Sequence, residues 1–411
     1  IDTRIKDIVQ GNGIKDVITY APLKYDSDSS DNVFSPSTYT ENYPNFDISS
    51  SAGFQVVSKI ENRSATHYKQ QKFKYYGAVT NVEGIGFLGF RSLARTNWFN
   101  SDFPVISSVS KHDISKRGAV SETYSVVGSL SDNFSGFSPT SFINKSNMTY
   151  DSTLLSNKVF KISNIFTSSI NGLENTSKEV STTFDSDNYP LITTSISKNG
   201  TTTERTEVVN IEYFPTTTSP TYIVGRLKKK NSTVTHDGDT MTGEEIYTYN
   251  TAQLVSKIQK KGHLTNYLTE DNIYDVFGNI TQKKITAVGL TPRITNFTYD
   301  TTGRFLLTSK DIEGLITTYT YNTSNGLLLT QTLPSNDGYP LRTTYLYDVW
   351  GKKTKETDYL GKSLFHNYSW LNPGSSGFVA INTTGEDNSA SYTQFDDLGR
   401  RIAEGYKTIN D

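Results

Sequence analysis

Apolar and polar positions alternate along much of the chain with the period of two that is typical of β-strands. In residues 201–214, for example, Val209, Ile211 and Tyr213 fall on one face, whereas the opposite face is mixed. Windows rich in Ala and Leu with helical spacing are almost missing, while 26 Tyr and 21 Phe accompany many Thr and Ser residues that favour pleated surfaces. The pattern therefore predicts an all-β fold.

Turn dipeptides punctuate these alternating runs and indicate how the strands are joined. They supply the positive φ angles that tight hairpins require, so the sequence predicts antiparallel strands connected locally. The dipeptides are Asn171-Gly172, Asn199-Gly200, Asp237-Gly238, Asn325-Gly326 and Asp337-Gly338.

A repeated unit of the form Tyr-Asp-x-x-Gly is the most informative feature of the sequence. Its copies are YDVFGN, YDTTGR, YNTSNG, YDVWGK and FDDLGR, and the leading aromatic residues are separated by 25, 22, 26 and 48 residues. The last interval is about twice the others and is expected to contain a degenerate copy. The repeat residues are Tyr274, Asp275, Gly278, Tyr299, Asp300, Gly303, Tyr321, Gly326, Tyr347, Asp348, Gly351, Phe395, Asp396 and Gly399.

These residue types suit a turn better than a catalytic site. An Asp carboxylate accepts backbone N–H bonds within the turn, Gly adopts the left-handed conformation, and the aromatic residue packs along the strand. A second Asp-x-x-Gly turn within residues 311–322 suggests about two strands and two turns in each repeat. Weaker copies near residues 184, 224 and 249 extend the rhythm upstream.

Charge and composition narrow the range of functions. The 40 basic and 42 acidic residues nearly cancel, which argues against a non-specific nucleic-acid binder, and the absence of Cys excludes disulfides and thiolate metal sites. No apolar run is long enough to span a membrane. The first ten residues contain neither an apolar signal core nor an initiating Met, so we expect the chain to be an excerpt from something longer.

The repeats, together with a second motif, resemble the YD-repeat family known as Rhs, which also covers teneurins and the B and C components of insecticidal toxin complexes. The second motif is Gly86-Phe87-Leu88-Gly89-Phe90-Arg91, which is similar to a GFLGF-type segment where SpvB-like and toxin-complex B proteins lead into their shell. The resemblance implies a long antiparallel sheet of stacked hairpins, coiled into a hollow shell or cocoon. It also implies that the shell sequesters a C-terminal toxin or effector of the same polypeptide.

The resemblance divides the chain into three segments. Residues 1–50 are expected to form a polar connector or the end of a preceding module, and residues 51–180 a β region that leads into the shell and contains the GFLGF motif. Residues 181–411 are expected to form the repeat region, with clear copies in 274–411 and continuation beyond the C-terminus. In the family an autoproteolytic aspartyl site lies C-terminal to the repeats, and no DPxG-type motif occurs in this sequence.

We therefore expect a non-enzymatic shell segment, without cofactor or metal, of a large bacterial protein that is secreted or displayed at the cell surface. Its expected partners are the effector segment and possible secretion machinery or a cell-surface partner, with neither nucleic acid nor a membrane span. An adhesion protein that binds carbohydrate or protein on another cell is the alternative. A hydrolase built on a β-solenoid is a third reading that only the Asp-rich turns favour.

Overall fold

The computed structural model describes residues 4–9, 14–29, 31–64, 68–131, 134, 137, 139–217, 222–335, 338–371, 378–387, 389–396 and 400–407. Asp337 and Gly399 lie outside the described residues. Within these ranges the one helical segment is a short 3-10 turn at Ile114–Lys116, and no helix is long and apolar enough to cross a bilayer. The predicted all-β fold, a long antiparallel sheet of consecutive hairpins, is confirmed.

The chain forms two compact units, and the first spans Ile14–Thr242 together with the short first strand. Its strands are β1 (Asp7–Val9), β2 (Lys15–Leu23), β3 (Phe34–Ser35), β4 (Asn45–Ile48), β5 (Ser51–Arg63), β6 (Tyr68–Asn81), β7 (Gly86–Thr96), β8 (Ile106–Asp113), β9 (Ala119–Val127), β10 (Asn144–Leu154), β11 (Phe160–Asn171), β12 (Thr176–Phe184), β13 (Pro190–Asn199), β14 (Thr202–Tyr213) and β15 (Leu227–His236).

The second unit begins at Gly243, inside the next strand. Its strands are β16 (Asp239–Tyr249), β17 (Val255–Lys261), β18 (Leu268–Tyr274), β19 (Ile280–Thr286), β20 (Arg293–Tyr299), β21 (Leu306–Lys310), β22 (Ile316–Tyr321), β23 (Leu328–Leu333), β24 (Leu341–Tyr347), β25 (Lys353–Thr357), β26 (Ser363–Leu371), β27 (Phe378–Gly385), β28 (Ala390–Asp396) and β29 (Arg401–Lys407). From β16 to β29, each strand pairs antiparallel with the next.

The first unit contains an apolar core on both sides of its sheet. Adjacent residues on a strand point to opposite faces, so Tyr75 and Tyr76 of β6 enter two different clusters. Tyr76 packs with Tyr124 in one cluster, and Tyr75 packs with Phe34 in the other. Both faces of β6 are therefore covered.

The first fifty residues contribute to this core, in contrast to the connector expected from their polar composition. Leu23 and Phe34 are completely buried, and Phe34 lies opposite Tyr75 in the parallel β3–β6 pairing. Strand β4 pairs with the end of β6. Composition alone missed this packing because a few apolar residues in a polar segment are enough to anchor it.

The second unit has no comparable core among its described residues. Strands β22 and β24 instead alternate between partly covered and exposed side chains, while β19 and β25 are partly covered throughout. Cross-strand partners define a tyrosine face, with Tyr274, Tyr299, Tyr319, Tyr321, Tyr345 and Tyr347, and an opposite threonine face, with Thr298, Thr308, Thr318, Thr320, Thr330, Thr332, Thr344 and Thr357. Thr298 and Thr308 exchange a hydrogen bond of 2.6 Å, and Thr320 and Thr330 one of 2.7 Å.

The two kinds of packing predict different sensitivities to substitution. Phe34→Ala removes a completely buried ring and should lower the free energy of unfolding by about 3–5 kcal/mol. Val349→Ala, at a side chain that is 94% exposed, should change it by no more than about 0.5 kcal/mol. Guanidinium denaturation of both variants measures the difference, and equal effects would contradict the assignment of the core.

Candidate functional site, the stacked turns of the repeats

The aspartates of the repeats close turns that lie at the same end of the strands, after β18, β20 and β24. The Oδ1 atom of Asp275 accepts hydrogen bonds from the backbone N–H groups of Phe277 and Asn279, both at 2.9 Å. Asp348 does the same for the second and fourth residues after it, again at 2.9 Å. Asp300 accepts from the N–H groups of Arg304 at 2.7 Å and its neighbour at 2.9 Å. The predicted turn geometry therefore follows from one carboxylate oxygen.

The same hydrogen bonds stabilise the ionised form of two of these carboxylates. The Thr302 hydroxyl and the backbone N–H of Phe305 lower the pKa of Asp300 to about 2. At Asp275, desolvation works in the opposite direction, but the N–H groups of Asn279 outweigh it and the pKa is lowered. A carboxylate that accepts several N–H bonds in this way is a structural anion rather than a proton donor at neutral pH.

The glycines of the repeats lie where one turn touches the next. The four that the structure describes have a positive φ, from 69° at Gly303 to 90° at Gly278. A Cβ atom at Gly303 would lie 2.4 Å from the Phe277 ring, so glycine is required there for the approach of the preceding turn. Asn279 adds a hydrogen bond of 2.8 Å to the Gly303 carbonyl. The corresponding neighbours in the other copies are Leu254 at Gly278, Phe305 at Gly326 and Leu327 at Gly351.

The leading aromatic residues lean on the preceding repeat. The Tyr274 hydroxyl donates to the Val255 carbonyl at 2.7 Å, and the Tyr321 ring stacks on Phe305 with centroids 5.1 Å apart. Desolvation raises the pKa of the hydroxyls of Tyr274, Tyr299, Tyr321 and Tyr347. Each aromatic residue also marks a register shift, or β-bulge, in the pairing with the following strand.

The same bulge occurs at the weak copies that the sequence suggested near Phe184 and Tyr249, where the pairing shifts at the last pair before the turn. Register shifts also occur at Tyr150, inside β10, and at Tyr213, before the connection to Leu227. Asp185 closes its turn by accepting from the N–H of Tyr189 at 2.8 Å. An aromatic residue followed by Asp or Asn, without the glycine, was the available signal at three of these four sites.

The end of the repeat region is described only in part. Phe395 lies at a further register shift, Asp396 ends β28, and Gly399 lies outside the described residues. The long interval before Phe395 contains an extra hairpin, β26–β27. Asp358 lies in the same interval and closes the turn between β25 and β26, at the other end of the strands from the repeat turns.

The GFLGF motif starts β7, and its Phe90 packs against the cluster that contains Tyr75 and Phe34. Gly86 and Gly89 have φ values of 77° and 106°. Phe90 packs against Tyr75 at 4.7 Å between ring centroids, and Phe87 packs against Phe54 at 4.9 Å. The motif thus places aromatic side chains on the cluster that contains Phe34.

Arg91, the last residue of the motif, binds the polar segment within the first fifty residues. Its Nη2 atom donates to Glu41 at 2.8 Å and to Asp47 at 2.9 Å, and its side chain is only 15% exposed. Desolvation opposes protonation, but the two carboxylates outweigh it and the pKa of Arg91 is raised. The motif therefore anchors residues 41–47 through partly buried ion pairs.

The stacked turns offer hydrogen-bond acceptors and packing surfaces. In the described part of the chain, no three His, Asp or Glu side chains come close enough to hold a metal ion. His112 and His366 are partly buried on separate strands, and desolvation lowers the pKa of each.

Comparison with known proteins supports the fold. No protein-family model and no curated protein sequence matches the chain. Among solved structures, TcdB2-TccC3 without its hypervariable C-terminal region aligns over 97% of this chain and 31% of its own length, with a TM-score of 0.64 and 8% identity. A second structure, TcdB2-TccC3-TEV, aligns over 92% of this chain and 24% of its own, with a TM-score of 0.56 and 8% identity. The chain thus has the fold of about a quarter to a third of the length of these chains.

The contact between successive turns can be tested by adding one methyl group. Gly303→Ala introduces a Cβ that meets the Phe277 ring and also adopts an unfavourable φ of 69°, so we expect a loss of about 2–4 kcal/mol in unfolding free energy. Gly289→Ala is the matched control, because its φ is 78° and no atom lies within 4 Å of its Cβ, and it should lose about 1–2 kcal/mol.

Combining Gly303→Ala with Phe277→Ala separates the two contributions. Removing the ring should recover part of the loss at Gly303, and it should recover nothing when combined with Gly289→Ala. A double-mutant cycle in denaturant measures this coupling. Additive losses in both pairs would show that the turns do not pack on each other.

The Asp300 turn predicts a specific dependence of stability on pH. The folded-state pKa of about 2 lies below the unfolded value of about 3.9, so the carboxylate stabilises the fold above about pH 4 and this contribution disappears as pH falls towards 2. Asp300→Asn should therefore be less stable than the parent at neutral pH, and the gap should narrow between pH 4 and pH 2. Thermal melts across this range measure the gap, and a constant gap would refute the assignment.

Proposed function

We propose that this chain is a non-enzymatic shell segment of a large, secreted bacterial YD-repeat protein that encloses a C-terminal toxin or effector of the same polypeptide. The observation that carries the proposal is the series of repeat turns that pack on one another within the fold shared with TcdB2-TccC3. A wall needs only contacts between neighbouring hairpins, and those are the contacts that the repeat residues make.

The packing of the second unit supports a wall rather than a filled domain. Strands β22 and β24 carry partly covered side chains on one face and exposed side chains on the other, and β19 and β25 are only partly covered on both faces. Ala380 is the one fully buried apolar residue among those described in this unit. A sheet stabilised in this way leaves its faces available to contact an enclosed polypeptide. The hypervariable C-terminal region named for the solved neighbour is a natural counterpart for such an effector.

A recognition function is the second candidate, and the tips of the turns favour it. Val349 and Trp350 are 94% and 84% exposed, and Phe277 is 59% exposed. Exposed aromatic residues on a rigid edge suit contact with a carbohydrate or a protein surface. Under this reading the chain binds another cell through its edge and encloses nothing.

The two functions differ in what the natural protein contains. We expect the protein recovered from its producing cells to have an intact mass well above 45.9 kDa and a C-terminal tail beyond Asp411. Limited proteolysis should leave that tail intact until the shell is unfolded by denaturant. A tail that is cleaved as quickly in the native protein as in the unfolded one, or a mature product ending near Asp411, would contradict enclosure. Binding to glycan arrays that is lost on Trp350→Ala would favour recognition.

A further inference from the structure

The two faces of the second unit differ in how their charges are compensated. On the tyrosine face, Lys283 lies 2.9 Å from Glu270, and Lys353 contacts Glu356. Arg293 is the remaining cation of this face between β18 and β25. Most positive charges on the tyrosine face are therefore neutralised by a neighbour.

The threonine face carries more cations than carboxylates. Cross-strand register places Lys284, Lys310, Arg342 and Lys355 on this face, opposite Ile294, Ile316, Thr332 and Leu346 respectively. Strands β19 to β25 are described in full and contribute no Asp or Glu to it. On the adjoining strand β18, Asp271 belongs to this face, where it lies opposite Lys284 and within 3.5 Å of Lys257. Lys310, Arg342 and Lys355 have no carboxylate among their cross-strand partners. The result is a surface with a local excess of positive charge on a chain whose formal net charge is -2.

Aliphatic side chains lie between these cations. Ile294, Ile316 and Leu346 are 36%, 47% and 58% exposed, and no second layer of the described chain covers them. Between them lie threonines, and the hydroxyls of Thr298 and Thr308 and of Thr320 and Thr330 bond to each other across the strands. A ligand for this face therefore needs both negative charges and apolar groups.

We propose that the threonine face binds an acidic polypeptide segment in which carboxylates alternate with aliphatic side chains. This inference rests on the proposed function, under which the segment belongs to the enclosed effector. Carboxylates would pair with Lys310, Arg342 and Lys355, and aliphatic side chains would cover the exposed Ile and Leu residues.

A nucleic acid satisfies the chemistry of this face less well. Sequence-tolerant binding of single strands depends on aromatic side chains on which bases stack. Between β18 and β26, Phe365 is the aromatic residue that register assigns to the threonine face, and Lys355 already covers its ring at 5.1 Å. The aliphatic groups of the face have no counterpart on a phosphate backbone.

The test compares two charge-matched variants of the 411-residue chain. The probe is a fluorescent peptide of alternating Glu and Val residues, with a Lys-Val peptide as its opposite. Lys310→Gln, Arg342→Gln and Lys355→Gln together should weaken binding of the Glu-Val peptide about tenfold or more at low ionic strength. Lys283→Gln, Arg293→Gln and Lys353→Gln remove the same charge from the tyrosine face and should change binding by less than about twofold. Fluorescence anisotropy measures both, and circular dichroism confirms folding.

A charge reversal guards against misfolding of the triple variant. Lys310→Glu with Arg342→Glu changes two exposed positions and should transfer the preference from the Glu-Val to the Lys-Val peptide. Equal losses in both triple variants, no preference between the two peptides, or tighter binding of single-stranded DNA or heparin than of the Glu-Val peptide would overturn the inference.

The outcome is separable from the proposed function. If the natural protein protects its tail but the chain ignores the Glu-Val peptide, the threonine face is not the contact surface and the shell function stands. If the chain binds the peptide through this face although the natural protein has no protected tail, the face recognises an acidic polypeptide from outside, and the assignment of the segment to an enclosed effector is overturned.

Discussion

Contact between one turn and the next is the interaction on which the repeat region depends. The described residues of the second unit form no apolar core that could fix the position of its hairpins, so each hairpin is located by backbone pairing and by the side chain that rests on its glycine. Phe277 on Gly303 is the tightest example, and a hydrogen bond from Asn279 to the same glycine reinforces it. Because these contacts join only sequential neighbours, stability accumulates along the chain rather than around a centre.

The first unit follows a different rule, and the GFLGF motif shows how. Phe90 of this motif packs in the cluster that contains Phe34, while Arg91 binds carboxylates about fifty residues earlier in the sequence. Contacts over such a separation order a larger loop and need buried area and ion pairs to offset its entropy. A well-packed segment therefore adjoins a region that relies on repetition, and the two are stabilised by different physical means.

The sequence allowed the strands, the turn residues and the hairpin order to be predicted because they depend on neighbouring residues. For Asp275 and Gly278, residue type and spacing within the repeat were enough to predict turn residues. The burial of Phe34 and the ion pairs of Arg91 could not be foreseen, since they depend on distant partners. The face on which each lysine lies could not be predicted either. The bulge beside each leading aromatic shifts the alternation by one residue, so counting from the turn does not assign Lys283 and Lys284 to their faces.

The bulge has a further consequence for how such a chain can change. Every repeat brings its own turn, its own leading aromatic residue and its own register shift, so the pairing is restored before the next repeat begins. Recombination between two repeats in the same reading frame would then delete or duplicate about two strands. The strands brought together would still have matching registers and could pair. The length of the sheet is consequently free to vary in whole repeats, whereas a shift of a single residue would exchange its two faces.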